Sequence, residues 1–140
     1  MQSSNPYESY LQTQVFAASP LELTVMVYRA AVDALKSAIH FAECGDIRAR
    51  GDAASRATTM VLELVNSLDD ERGGEIAGNL RRLYDYILSR IHEGHRAADV
   101  RRFQEAVEVL EVLLDSWQTI ATAPEVHSSH HAHEPIECSF

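Results

Sequence analysis

Residues 19–46 read SPLELTVMVYRAAVDALKSAIHFAECGD, and their pattern decides the fold. Ser19 can cap a helix, Pro20 suits the first helical position, and Glu22 completes a capping box with Ser19. Leu21, Val25, Tyr28, Val32, Leu35, Ile39 and Ala42 then recur at alternating steps of four and three, the seam of an amphipathic helix. A second seam runs beside it through Val27, Ala31, Ala34, Ala38 and Phe41. Two seams make a wide apolar arc, so this helix must touch at least two neighbours, and its alanines let one of them come close.

Working outward, no proline lies between Leu21 and Ala123. A proline costs a helix interior about 3 kcal/mol, so this stretch permits long helices throughout. Glycine punctuates it instead: Gly45, the pair Gly73-Gly74, and Gly94 divide it into four pieces. After Gly45, Asp46 can cap a second helix with Ala54, Ala57, Val61, Leu64 and Leu68 inward, while Gly51 weakens its first turns. The spacing predicts a third helix after Gly74, striped by Ile76, Leu80, Leu83, Tyr84, Ile87 and Ile91. Asp99 caps a fourth, carrying Val100, Phe103, Val107, Leu110, Leu114 and Trp117, with Glu105, Glu108, Glu111 and Asp115 toward water. Short connections between long helices favour an all-α, antiparallel up-down-up-down four-helix bundle, here with an extended N-terminal segment before it. Helices of roughly 20 to 25 residues would run about 30 to 37 Å.

Two flanks frame residues 19–123. Residues 1–18 hold Tyr7, Tyr10, Leu11, Val15 and Phe16 with almost no charge, too apolar for a solvated extension. Their composition fits equally a permanent fifth element and a mobile cover over an apolar groove. Residues 124–140, with His127, His130, His131 and His133 among serines and prolines, read as a disordered tail.

The chain has 140 residues, 46% hydrophobic and 24% charged, which suits one globular domain. Its formal net charge of -9 argues against nucleic acid or an anionic membrane surface as the main partner. Its apolar runs are too short to insert in a membrane, and Met1–Pro6 lacks the blocks of a signal peptide, so a cytosolic location is expected. Cys44 and Cys138 make no disulfide framework and fit a reducing compartment.

Catalytic groups are scarce. There is no phosphate loop, nucleophile elbow or Cys-x-x-Cys. His92-Glu93-Gly94-His95 lacks the four-residue spacing that sets two histidines over one zinc, and reads as a solvated helix end. The acids of the fourth helix lie off its apolar stripe without the Glu-x-x-His of a carboxylate metal bundle, and read as a solvated face. The tail histidines can bind Zn, Ni or Cu, but without fixed geometry their affinity is read as incidental. Arg81, Arg82, Arg90, Arg96, Arg101 and Arg102 read as surface ion-pair partners rather than an anion site. No enzyme, resident metal or cofactor is expected.

Certain residues bear a family resemblance. Asn5-Pro6-Tyr7, Tyr10-Leu11-Gln12-Thr13-Gln14-Val15, Ala18-Ser19-Pro20 and Leu23-Thr24-Val25-Met26-Val27-Tyr28 resemble the opening of the flagellar secretion chaperones, the FliS family. Gly45-Asp46, Leu83-Tyr84-Asp85-Tyr86-Ile87 and Trp117 extend the resemblance over roughly residues 5–121. Val27-Tyr28-Arg29-Ala30 departs from it, standing where relatives commonly carry an acidic residue and glycine after the tyrosine. Residues 124–140 match nothing in it.

The resemblance implies a helical bundle that binds the disordered C-terminal region of flagellin, prevents premature polymerisation and assists delivery to the flagellar type III export apparatus. Export-gate components would then be further partners. On that reading Tyr7, Tyr10 and Leu11 form the mobile cover. The client groove is lined from among Ile76, Leu80, Leu83, Ile87, Leu110, Leu113 and Leu114, Leu113 lying beside the fourth helix's main stripe. The competing reading is a structural or regulatory bundle that self-associates through its apolar surface. A homodimer without client fits either.

Overall fold

The computed structural model describes residue 6, residues 8–10 and residues 18–123. Four long helices fill residues 20–121: α1 (Pro20–Cys44), α2 (Ile47–Asn66), α3 (Asp70–Ala97) and α4 (Val100–Ala121). Residues 6 and 8–10 are also helical, and there is no strand among the described residues.

The start of α1 follows its sequence closely. The Glu22 backbone N–H donates to Ser19 Oγ at 3.1 Å, and the Ser19 N–H donates to Glu22 Oε1 at 3.0 Å. These bonds satisfy donors that the first helical turn leaves without intrahelical partners. At the other end Gly45 takes the left-handed conformation, φ 74° and ψ 17°, which a side chain would resist. Asp46 follows at once as the cap of α2, its carboxylate accepting from the Ala49 N–H at 3.1 Å. Despite Gly51, α2 is helical from Ile47.

Two glycine breaks lie elsewhere than expected. The α2–α3 connection is Ser67-Leu68-Asp69, because the Asp69 carboxylate accepts from the backbone N–H groups of Glu71 and Arg72 and starts α3 before the glycine pair. Gly74 instead kinks α3 from within, at φ 51° and ψ -121°. Nor does Gly94 end α3, which continues to Ala97 and closes on Ala98 in the left-handed region at φ 52°. Gly94 is buried against α4, where an added Cβ would stand 2.8 Å from the Phe103 ring. Its role is a close helix–helix approach.

Each helix packs on two others, with the extensive interfaces running α1–α2, α2–α3, α3–α4 and α4–α1 in a closed ring. With connections of two or three residues, this ring makes consecutive helices antiparallel. The α1–α2 interface is the most extensive, because Ala31, Ala34 and Ala38 of α1 and Ala53, Ala54 and Ala57 of α2 are all buried. Tyr28, Leu35, Tyr84, Ile87, Phe103 and Leu110 fill the centre.

The third stripe needs correction. The innermost positions of α3 are Ala77, Leu80, Tyr84, Ile87, Ile91 and Gly94, whereas Ile76 and Leu83 are 55% and 37% exposed. These two are seven residues apart and therefore share one flank, turned from the bundle axis.

His95 also departs from a solvated helix end. Arg50, only 8% exposed, donates from Nε to His95 Nδ1 at 3.1 Å and from a terminal nitrogen to the His95 carbonyl at 3.1 Å. The C-terminal end of α3 is thereby tied to the first turns of α2.

Candidate partner-binding surface

An ion pair fixes how α3 and α4 lie side by side. Arg90 of α3 reaches Glu105 of α4 at 3.5 Å, and Arg102 holds the same carboxylate at 3.1 Å. The hydrogen bond from Arg102 keeps the Glu105 carboxyl below its ordinary range. Arg90 also lies over the Tyr86 ring, 5.4 Å from its centroid.

Counting along the antiparallel pair from this anchor brings Tyr86 level with Val109, Leu83 with Leu113, and Ile76 with Ile120. Tyr86 and Ile120 are 42% and 51% exposed, Val109 and Leu113 half-buried, and Val112 beside them 68% exposed. The result is an apolar strip along the outer side of the α3–α4 pair, closed at one end by arginine and glutamate. From Val109 to Ile120 it spans about 16 Å, or three helical turns. A strip of that length suits the apolar face of one amphipathic helix.

At the end of the bundle away from the Arg90–Glu105 ion pair lies a separate cleft of about 260 Å³, walled by Pro20, Leu23, Val27, Leu68, Leu80 and Trp117 among others. Beneath it the ring centroids of Tyr28 and Tyr84 stand 6.4 Å apart, and those of Tyr28 and Trp117 stand 6.3 Å apart. The two tyrosine hydroxyls share a buried hydrogen bond of 2.6 Å. Burial raises both phenols above their ordinary pKa, and for Tyr84 the adjacent Tyr28 adds to the rise.

The expected site residues divide among these settings. Ile76 and Leu83 lie on the strip, and Leu113 borders it. Leu114 is half-buried on the opposite flank of α4, the side that meets α1 through the Lys36–Glu111 ion pair at 3.2 Å. Leu80 walls the cleft. Ile87 and Leu110 are fully buried, so in the closed bundle they support the surface from below rather than line it. Tyr10 is helical and 62% exposed, while Tyr7 and Leu11 lie outside the described residues.

Sequence reasoning missed Tyr86, Val109, Val112 and Ile120. A signal was present: Val109, Leu113 and Ile120 recur at helical spacing beside the main stripe of α4. Among the described residues there is no group of three or more His, Cys, Asp or Glu able to hold a metal ion. No helix there is long and apolar enough to cross a membrane.

The profile of the family described as flagellar protein FliS matches residues 3–124. The chain belongs to the FliS family. It is 36% identical to the flagellar secretion chaperone FliS of Salmonella typhimurium over 112 residues, covering 79% of this chain and 83% of that one. With FliSB of Pseudomonas aeruginosa the identity is 31%, covering 79% and 88% of the two chains. With FliS of Campylobacter jejuni it is 30%, covering 86% and 94%. Both of these relatives are likewise named flagellar secretion chaperones.

Proposed function

We propose that this chain is a flagellar secretion chaperone that binds the disordered C-terminal region of flagellin in the cytosol. Binding withholds that region from premature polymerisation and keeps it ready for delivery to the type III export apparatus, with export-gate components as the next partners. The carrying observation is the α3–α4 strip on a chain of the FliS family. Three turns of exposed apolar surface offer a client what its own folded assembly otherwise supplies.

Recognition would proceed as a helix laid in a groove, with Ile76, Leu83, Tyr86, Leu113 and Ile120 receiving apolar anchors of the client. A segment that folds as it binds gives up ordering entropy, so a wide interface can be specific and still release its client at the export gate. Tyr7, Tyr10 and Leu11 are assigned to a cover that occupies apolar surface in the absence of client.

Calorimetric titration with a flagellin C-terminal peptide tests the assignment. Leu83→Glu and Val112→Glu should each weaken binding by about tenfold or more, since burying an unpaired carboxylate costs several kcal/mol. Leu62→Glu on the exposed side of α2 should leave it unchanged. Equal affinity in all three variants would remove the strip from the mechanism. Measuring molar mass without peptide reports whether the chain instead pairs with a second copy.

A further inference from the structure

The last turn of α1 carries an arrangement of donors unrelated to the strip. His40 and Cys44 lie four residues apart on one face of that turn, and both are exposed. Cys44 Sγ stands 3.7 Å from His40 Nε2. Tetrahedral zinc holds thiolate sulfur at about 2.3 Å and imidazole nitrogen at about 2.0–2.1 Å, which places two such ligands roughly 3.5 Å apart. The pair therefore stands near the bite of a chelate before any ion arrives. The Phe41 ring packs edge-on against His40 at a centroid distance of 5.3 Å.

Electrostatics supplies an independent observation. The C-terminal end of a helix concentrates negative potential on its last carbonyls, and cations are favoured there. No basic residue occupies the last turn of α1, and Glu43, exposed in the same turn, adds a carboxylate. A divalent cation held between His40 and Cys44 would sit where that field is strongest.

We propose that His40 and Cys44 form a surface chelate for a borderline divalent metal ion of the Zn²⁺, Co²⁺ or Ni²⁺ class, with water in the remaining positions. On binding, the Cys44 thiol gives its proton to solvent as the sulfur–metal bond forms. Neutral His40 donates the Nε2 lone pair while Nδ1 keeps its proton, and nothing is oxidised or reduced. The site adjoins the α1–α2 turn, at the end of the bundle away from the cleft under Pro20 and Trp117.

Cobalt titration of the reduced full chain tests this, because Co²⁺ replaces Zn²⁺ and a thiolate ligand gives it a charge-transfer absorption that imidazoles alone do not. The absorption should persist in Cys138→Ser, which removes the other cysteine, and vanish when Cys44→Ser is added to that variant. His40→Ala should raise the cobalt concentration at half-saturation by about tenfold or more, as losses at metal sites commonly do. Circular dichroism should show all three variants folded, since the two ligands are exposed. The proposal is overturned by a band that survives Cys44→Ser in the chain already lacking Cys138, by a midpoint indifferent to His40→Ala in that same chain, or by no band in excess cobalt.

Discussion

Single side chains in this bundle differ sharply in what they contribute, and burial explains most of the difference. Leu110 is fully buried, so Leu110→Ala should destabilise the fold by about 2 to 5 kcal/mol in urea unfolding. Leu83, placed on the same kind of stripe by its spacing, is 37% exposed, and Leu83→Ala should cost less than about 1 kcal/mol. Its worth should appear in client binding instead. The Tyr28–Tyr84 hydroxyl pair gives a second test. Tyr28→Phe leaves the buried Tyr84 hydroxyl without this bond and should cost about 1 to 3 kcal/mol, Tyr84→Phe should cost less because the Tyr28 hydroxyl keeps Trp117, and the double change should cost less than the sum. The pair also predicts alkaline sensitivity. Both phenols are raised in the folded state, so the neutral pair contributes its full stability below the unfolded tyrosine pKa of about 10 and loses it as pH rises beyond that. Melting temperature should therefore fall above about pH 10 more steeply in the wild type than in the double phenylalanine variant.

At the scale of elements, α3 shows how far local signals reach. The acidic cap that follows it is legible, since Asp99 accepts from the Arg101 N–H and starts α4, whereas the sequence reading does not anticipate the Asp69 cap. The glycines of α3 are not legible. A helical sequence with glycine at 73, 74, 78 and 94 gives no sign of which one bends the chain, which is indifferent and which is pressed by a neighbour, because the neighbour belongs to another helix. Gly78 has open space around it and an ordinary helical backbone, so Gly78→Ala should stabilise by about 0.5 to 1 kcal/mol. At Gly94 the added methyl would meet Phe103 at 2.8 Å, so Gly94→Ala should destabilise by about 1 to 3 kcal/mol despite the better helix propensity. Unfolding curves of the two variants should move in opposite directions.

Across the whole molecule, an apolar strip and an apolar N-terminal segment belong to one chain, which leads to a prediction about competition. Deleting residues 1–17 leaves Ser19, Pro20 and Glu22 to begin α1. If the segment covers client surface, the shortened chain should bind more hydrophobic dye, self-associate more readily, and hold the flagellin peptide at least as tightly. Weaker peptide binding by a shortened chain that still melts cooperatively would make Tyr7 and Tyr10 direct client contacts instead.

The sequence by itself determined the helical class, the four long helices of residues 20–121, the caps at Ser19, Asp46 and Asp99, and the family. These depend on spacing within one segment, on side chains that bond their own backbone, and on residue order. Tertiary structure decided which flank of each apolar stripe faced inward. It left Ile76 and Leu83 exposed on one flank of α3, buried Ile87 and Leu110, and joined Arg50 to His95. Helical periodicity defines a face about a third of a turn wide, and the edges of that face are assigned only when neighbouring helices settle against it.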